Sequence, residues 1–210
     1  MMTRFINNIL FRLKNRSTKL GKKVVISRKT KVGKNCIIGN YARLSKNVTL
    51  GDNVRVGEFS VLHNMTIDDN TMLESGIRMP GTGKGRVIIG KECYIGVNNI
   101  LDTSDNITIG DFVHIAGATT SLWCHSTAQM CLHSIPLNDS KRDKYRPTAP
   151  ISIEDSVYVG GCCTIYPGVK IGHHSIITPN SAVTKDVASY TMVGGVPAKV
   201  IKKLNIESFS

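Results

Sequence analysis

One period governs this chain. At intervals of six residues an aliphatic side chain recurs, often followed by Gly or Asp, with a small or branched side chain four positions after it. Val32-Gly33 leads to Cys36, Ile38-Gly39 to Ala42, Leu50-Gly51 to Val54 and Val56-Gly57 to Ser60. The pattern returns at Ile89-Gly90 with Cys93, Ile109-Gly110 with Val113, Val159-Gly160 with Cys163 and Ile171-Gly172 with Ser175. Three such hexapeptides close one triangular coil of about 18 residues, with the aliphatic residue pointing inward, the small residue filling beside it and Gly or Asp serving the corner. Stacked coils bury a column that no single coil could bury alone. A sandwich of short strands would instead place its turn signals about every 8–12 residues. The period therefore predicts an all-β parallel β-helix of about seven coils.

The register breaks twice. Residues 80–86 (PGTGKGR) form a glycine-rich interruption that reads as a protruding turn. Over residues 121–150 the repeat disappears altogether, a length that a compact domain seldom gives to a loop without function. This second break is the expected place of the chemistry.

Charge divides the chain unevenly. Of its 27 Lys and Arg, 13 fall before Asp52, where there is no Asp or Glu, and the remainder of the chain is close to neutral. Tyr41 is the only aromatic residue between Phe11 and Phe59, so the basic quarter lacks the interleaved rings that nucleic-acid modules use for stacking. Within it Phe5, Ile6, Ile9, Leu10 and Leu13 fall at helical spacing, which predicts a short basic amphipathic helix capping the first coil within a segment 1–23, ahead of a β-helix domain over 24–210 that ends in a tail. The same segment is suited to peripheral contact with an anionic membrane. No apolar run approaches the ~20 residues of a membrane span, and the N-terminus lacks a signal-peptide pattern. A cytoplasmic protein with six free thiols is expected.

From Ile153 onward the run ISIEDSVYVGGCCTIYPGVKIGHHSIITPNSAVTKDVASYTMVGGVPAKVIKK, with its Thr184-Lys185-Asp186 turn and closing Gly195-Val196-Pro197-Ala198-Lys199-Val200-Ile201, resembles the hexapeptide-repeat acyltransferases. The likeness is greatest to polysaccharide O-acetyltransferases, with maltose and galactoside acetyltransferases more distant. The resemblance implies left-handed coils, a homotrimer with active sites between subunits, and transfer of an acetyl group from acetyl-CoA to a sugar hydroxyl in cell-surface polysaccharide biosynthesis. It places the catalytic base at His125, where the 121–150 loop begins; His133 in the same loop is the alternative. It places acceptor binding at Asn98 and Asn99, and coenzyme A contacts at Gly161, Pro179, Thr184, Lys185, Lys199 and Lys202. Gly161 and Pro179 depart from the small hydroxyl or Ala usual there, and Tyr158 stands where Trp is common.

An imidazole within reach of a sugar hydroxyl accepts its proton as the ester bond forms, an effect of ~10²–10⁴ in rate. His63, His114, His173 and His174 read as exposed rung or corner residues. Cys124, His125, Cys131 and His133 lie close in sequence but lack the spacing of a zinc site, so no metal is expected. N-acetylation of a nucleotide-linked amino sugar and a non-catalytic scaffold are the other functions open to the same fold.

Overall fold

The structure, a computed structural model, describes residues 17–205. The helix expected around Phe5 to Leu13 lies outside them. Three walls of short parallel strands stack into a triangular left-handed β-helix. The first face runs through Lys19–Leu20, Ile37–Ile38, Arg55–Val56, Met72–Leu73, Tyr94–Ile95, His114–Ile115, Tyr158–Val159, Ile176–Ile177 and Thr191–Gly194. Lys199–Lys203 then turns back antiparallel on Thr191–Gly194 and ends that wall. The second face carries Val25–Ile26, Arg43–Leu44 and Val61–Leu62, then Ile100–Leu101, Ser121–Leu122, Thr164–Ile165 and Ala182–Val183, joined across the gap by a bridge from Arg78 to Ile100. The third has seven strands, from Lys31–Val32 to Lys170–Ile171, but the β-helix as a whole makes about ten turns, more than the seven coils expected. The first face is longer because coiling continues beyond the clear repeats at both ends. Lys19–Leu20 already pairs with Ile37–Ile38, so the β-helix begins inside the segment 1–23 assigned to the cap. Flanking lysines obscure the repeat there.

Each short strand sends one residue inward and the next outward, which is why so many two-residue strands alternate exposed with buried. Both inward positions of the hexapeptide are filled as the period requires. Ile38, Leu44 and Val56 are buried, and beside them Ala42, Val48 and Val54 are wholly so. Aliphatic side chains of moderate size thus line one continuous core along the axis.

The corners explain the Gly and Asp. At Gly33 a Cβ would strike the Asp52 carboxylate and the Gly51 carbonyl of the next coil, so the coils approach too closely for a side chain. The same Asp52 accepts the Lys34 N–H at 2.7 Å across 18 residues, and Asp69 accepts the Asp52 N–H at 2.6 Å one coil further on. Asn35, Asn53 and Asn70 adopt the left-handed backbone region that Asn tolerates, and their amides form a ladder ending on Glu92. Tyr41 and Phe59 take the same backbone region at another corner and stack face to face with centroids 5.1 Å apart.

Candidate active site

Both register breaks leave the β-helix at one corner, between the second and third faces. Where coils are regular, stacked corner residues lie 17 or 18 positions apart; residues 80–86 lengthen the step to 22, and the long loop to 44. Ser121–Leu122 still forms a rung, paired with Ile100–Leu101 and Thr164–Ile165, and the chain departs after it. The departing and returning strands are stitched together: the Ala149 N–H donates to Cys124 O at 3.0 Å, and His125 bridges Thr148. Beyond this neck the loop contains helix α1 (Ala128–Leu132), whose Met130 is buried, and a 3₁₀ turn at Arg142–Tyr145. The length that reads as a gap in the repeat is therefore an ordered projection.

His125 sits in the neck with its Nδ1 directly against Asp102 Oδ2. Asp102 lies one coil below and has no solvent exposure. Its carboxylate is held from every side: Oδ1 accepts the Ser104 N–H at 3.0 Å and the Ser104 hydroxyl at 2.8 Å, while Oδ2 also accepts the Cys124 N–H at 2.9 Å. A buried carboxylate satisfied in this way cannot turn away from the ring, and it places the imidazole proton on Nδ1. The Nε2 lone pair is then free to accept a proton. Trp123 meets the ring edge-on with centroids 6.0 Å apart. Ser104 Oγ lies 3.1 Å from His125 Nδ1 and accepts a hydrogen bond of 2.9 Å from the Arg146 guanidinium.

Cys124 precedes His125 but is no nucleophile. Its side chain points into the core, and burial, reinforced by the Asp102 and Asp105 carboxylates, pushes the thiol up to about 12. His133 caps the exposed end of helix α1 against Tyr145, with ring centroids 5.3 Å apart, and among the described residues no carboxylate pairs with it. Cys131 shares that exposed end. Among the described residues no group of three His, Cys, Asp or Glu converges as a metal ion would need. Of the remaining histidines only His114 is exposed. His63 is half-buried on the active-site corner, its Nε2 3.2 Å from Thr103 Oγ1, while His173 and His174 pack against Tyr190.

The other residues singled out in the sequence are scattered within one chain. Asn98 is a corner residue with left-handed backbone between the first and second faces. Asn99 is fully buried: its Oδ1 accepts the Thr120 N–H at 2.8 Å and its Nδ2 donates to Ile115 O at 3.3 Å, so its amide is committed to joining coils. Gly161 and Pro179 lie on that same corner, where a Cβ on Gly161 would strike the Gly117 carbonyl. Thr184 and Lys185 are exposed on the active-site corner, two coils beyond His125 along the pairing Ser121–Leu122 to Thr164–Ile165 to Ala182–Val183. Lys199 and Lys202 are exposed on the final antiparallel strand. Asp102, Ser104 and Arg146 were not picked out. An Asp after an aliphatic pair is what any corner of this repeat offers, so the sequence gives no sign that this one faces a histidine.

The pattern described as bacterial transferase hexapeptide (six repeats) matches residues 29–64, and hexapeptide repeat of succinyl-transferase matches 86–117 and 150–185. Chloramphenicol acetyltransferase of Klebsiella aerogenes is 33% identical over 112 residues, covering 49% of this chain and 53% of that protein. Galactoside O-acetyltransferase of Escherichia coli (strain K12) is 30% identical over 141 residues, covering 67% of this chain and 64% of its own length. The chain thus spans only about half to two thirds of these curated relatives. The solved structure of the polySia specific acetyltransferase NeuO aligns over 90% of this chain and 88% of that one, with 26% identity and a TM-score of 0.53. No helix among the described residues is long and apolar enough to cross a membrane. With its repeats matched on both sides of the projecting loop and its coils closed into a left-handed prism, the chain belongs to the hexapeptide-repeat acyltransferase family.

Proposed function

We propose that the protein transfers an acetyl group from acetyl-CoA to a sugar hydroxyl by direct attack, with His125 as general base. The observation that carries this is the Asp102–His125 pair in the neck of the loop, which fixes the imidazole tautomer and turns Nε2 outward. In the reaction Nε2 takes the hydroxyl proton as the sugar oxygen bonds to the thioester carbonyl carbon. The carbon–sulfur bond then breaks, and the imidazolium returns the proton to the departing thiolate. The buried, protonated Cys124 supports direct transfer over an acyl-cysteine route.

The acetyltransferase names of the relatives support the reaction class, and the galactoside enzyme supports a saccharide acceptor. Gly161 with Pro179, Thr184 with Lys185, and Lys199 with Lys202 are taken as coenzyme A contacts. They are dispersed in one chain, which favours a homotrimer in which the cofactor lies between one subunit's corner and its neighbour's face. Asn98 remains the acceptor-side candidate; Asn99 drops out because its amide is already used. A cytoplasmic enzyme of cell-surface polysaccharide synthesis, held near anionic lipid by its basic segment 1–23, fits this reading.

The test is kinetic. His125→Ala should lower kcat for acetyl transfer by at least ~10²-fold while acetyl-CoA affinity, read by calorimetry, stays near that of the parent. His133→Ala should leave kcat within a few-fold; the reverse pattern would move the base to His133.

A further inference from the structure

Between the two projections lies a cleft of about 210 Å³ lined by Thr82, Lys84, Ser104, Asp143, Arg146 and Thr148. The glycine-rich turn supplies Thr82 and Lys84, the long loop supplies Asp143, Arg146 and Thr148, and the β-helix itself supplies Ser104 as the floor. Lys84 and Asp143 join the walls by an ion pair of 3.7 Å, and Asp143 also faces the Arg142 guanidinium at 3.6 Å. These charges answer one another. Arg146 is different: among the described residues no carboxylate lies within ion-pair reach of it, and its side chain is anchored by one hydrogen bond, to Ser104 Oγ at 2.9 Å. A guanidinium carries five donors in a planar fork matched to a carboxylate or phosphate, so most of that fork is uncommitted.

The anchor also fixes where the fork sits. Ser104 Oγ donates to Asp102, accepts from Arg146 and lies 3.1 Å from His125 Nδ1, so one hydroxyl separates the unpaired cation from the base. Resting on the acetyl-transfer reading above, we propose that this cleft is the acceptor subsite and that Arg146 selects an anionic saccharide, binding a carboxylate or phosphate close to the hydroxyl that is acetylated. Lys84 sets the far wall and adds longer-range attraction. The pairing is charge-assisted in a half-enclosed site, where such bonds discriminate by about 10- to 100-fold.

The experiment uses the purified full chain and three probe acceptors: methyl glucoside, methyl glucuronide and glucose 6-phosphate. Thiol release gives kcat/KM for each. The parent should favour one or both anionic probes over the neutral one by about 10-fold or more, the preferred probe distinguishing carboxylate from phosphate. Arg146→Gln should abolish the preference by raising KM for the anionic probe, with KM for acetyl-CoA unchanged, while Arg142→Gln, one turn away and outside the cleft, should keep it. Equal rates on all probes in the parent, a preference that survives Arg146→Gln, or a rise confined to the KM of acetyl-CoA would each overturn the proposal. Saturation-transfer NMR of the same probes with His125→Ala, alone and combined with Arg146→Gln, needs no turnover. Anion binding that depends on Arg146, together with a parent protein that acetylates none of the probes, would retain the subsite and reject the reaction, whereas transfer by the parent without Arg146-dependent binding would do the opposite.

Discussion

The regular coils and the corner that bears both projections are built from the same hexapeptides but use them differently. In the regular coils, corner carboxylates such as Asp52 and Asp69 accept backbone N–H groups from the coil before, and their function ends there. At the interrupted corner Asp102 also accepts backbone N–H groups, but its Oδ2 has a second partner in His125. Diverting the chain after Leu122 allows that second partner, because the ring arrives from the loop neck and not from a stacked corner. A structural ladder position thus becomes an orienting carboxylate through the path of the neighbouring coil, with no change in residue type.

The largest effect that would break this comparison is loss of the double role of Asp102. Asp102→Asn puts an amide NH₂ where both oxygens now accept, leaving at least one N–H facing a donor and the imidazole without its anion. We expect kcat to fall by about 10²-fold or more and stability to drop by about 1–3 kcal/mol, measured by thiol release and by urea unfolding. Asp52→Asn, at a regular corner, should leave kcat unchanged. Equal effects at the two sites would mean that Asp102 is only another rung.

A second test exchanges the outcomes. Ile38→Ala in the regular coils removes a buried side chain that packs only within the core, and it should cost about 2–5 kcal/mol of stability with KM for acetyl-CoA unaltered. A stable variant with altered KM would show that the coils near the N-terminus communicate with the cofactor.

The smallest effect concerns His63, where burial lowers the imidazole pKa below its ordinary value. The unfolded chain then binds the proton more readily than the folded one. Stability is therefore full above the ordinary histidine range and declines as pH falls from it toward the lowered folded value. His63→Gln should flatten that decline in thermal melts between pH 7.5 and 5. A slope unchanged by the substitution would assign the decline to another group.

How far the sequence could be read follows the same division. The inward aliphatic and small positions, from Ile38 with Ala42 to Ile171 with Ser175, were legible because burial repeats at a fixed interval and each inward residue obeys the same local rule. The proposal of His125 as base came only from the resemblance, since nothing in SLWCHSTAQMCLH separates it from His133. Asp102, Ser104 and Arg146 were invisible, because they meet across two turns of the helix and a projecting loop. Asn99 misled for the opposite reason: an amide beside a corner can face either way, and here the pleat turns it inward, where the Thr120 N–H and the Ile115 carbonyl use it. The helical spacing of Phe5 to Leu13 falls outside the described residues, and the first rung at Lys19–Leu20 was hidden by its basic neighbours.

The stitched neck has one more consequence. Cys124 and Ala149 are joined by a backbone hydrogen bond, as are Ser126 and Pro147, so the coils hold the projection chiefly at its base, where Arg146 also meets Ser104. The segment behaves as a cassette on a fixed socket. Its tip can lengthen, shorten or be grafted from another chain while the Asp102 carboxylate keeps its place, which leaves acceptor choice free to diverge without rebuilding the prism that supports it.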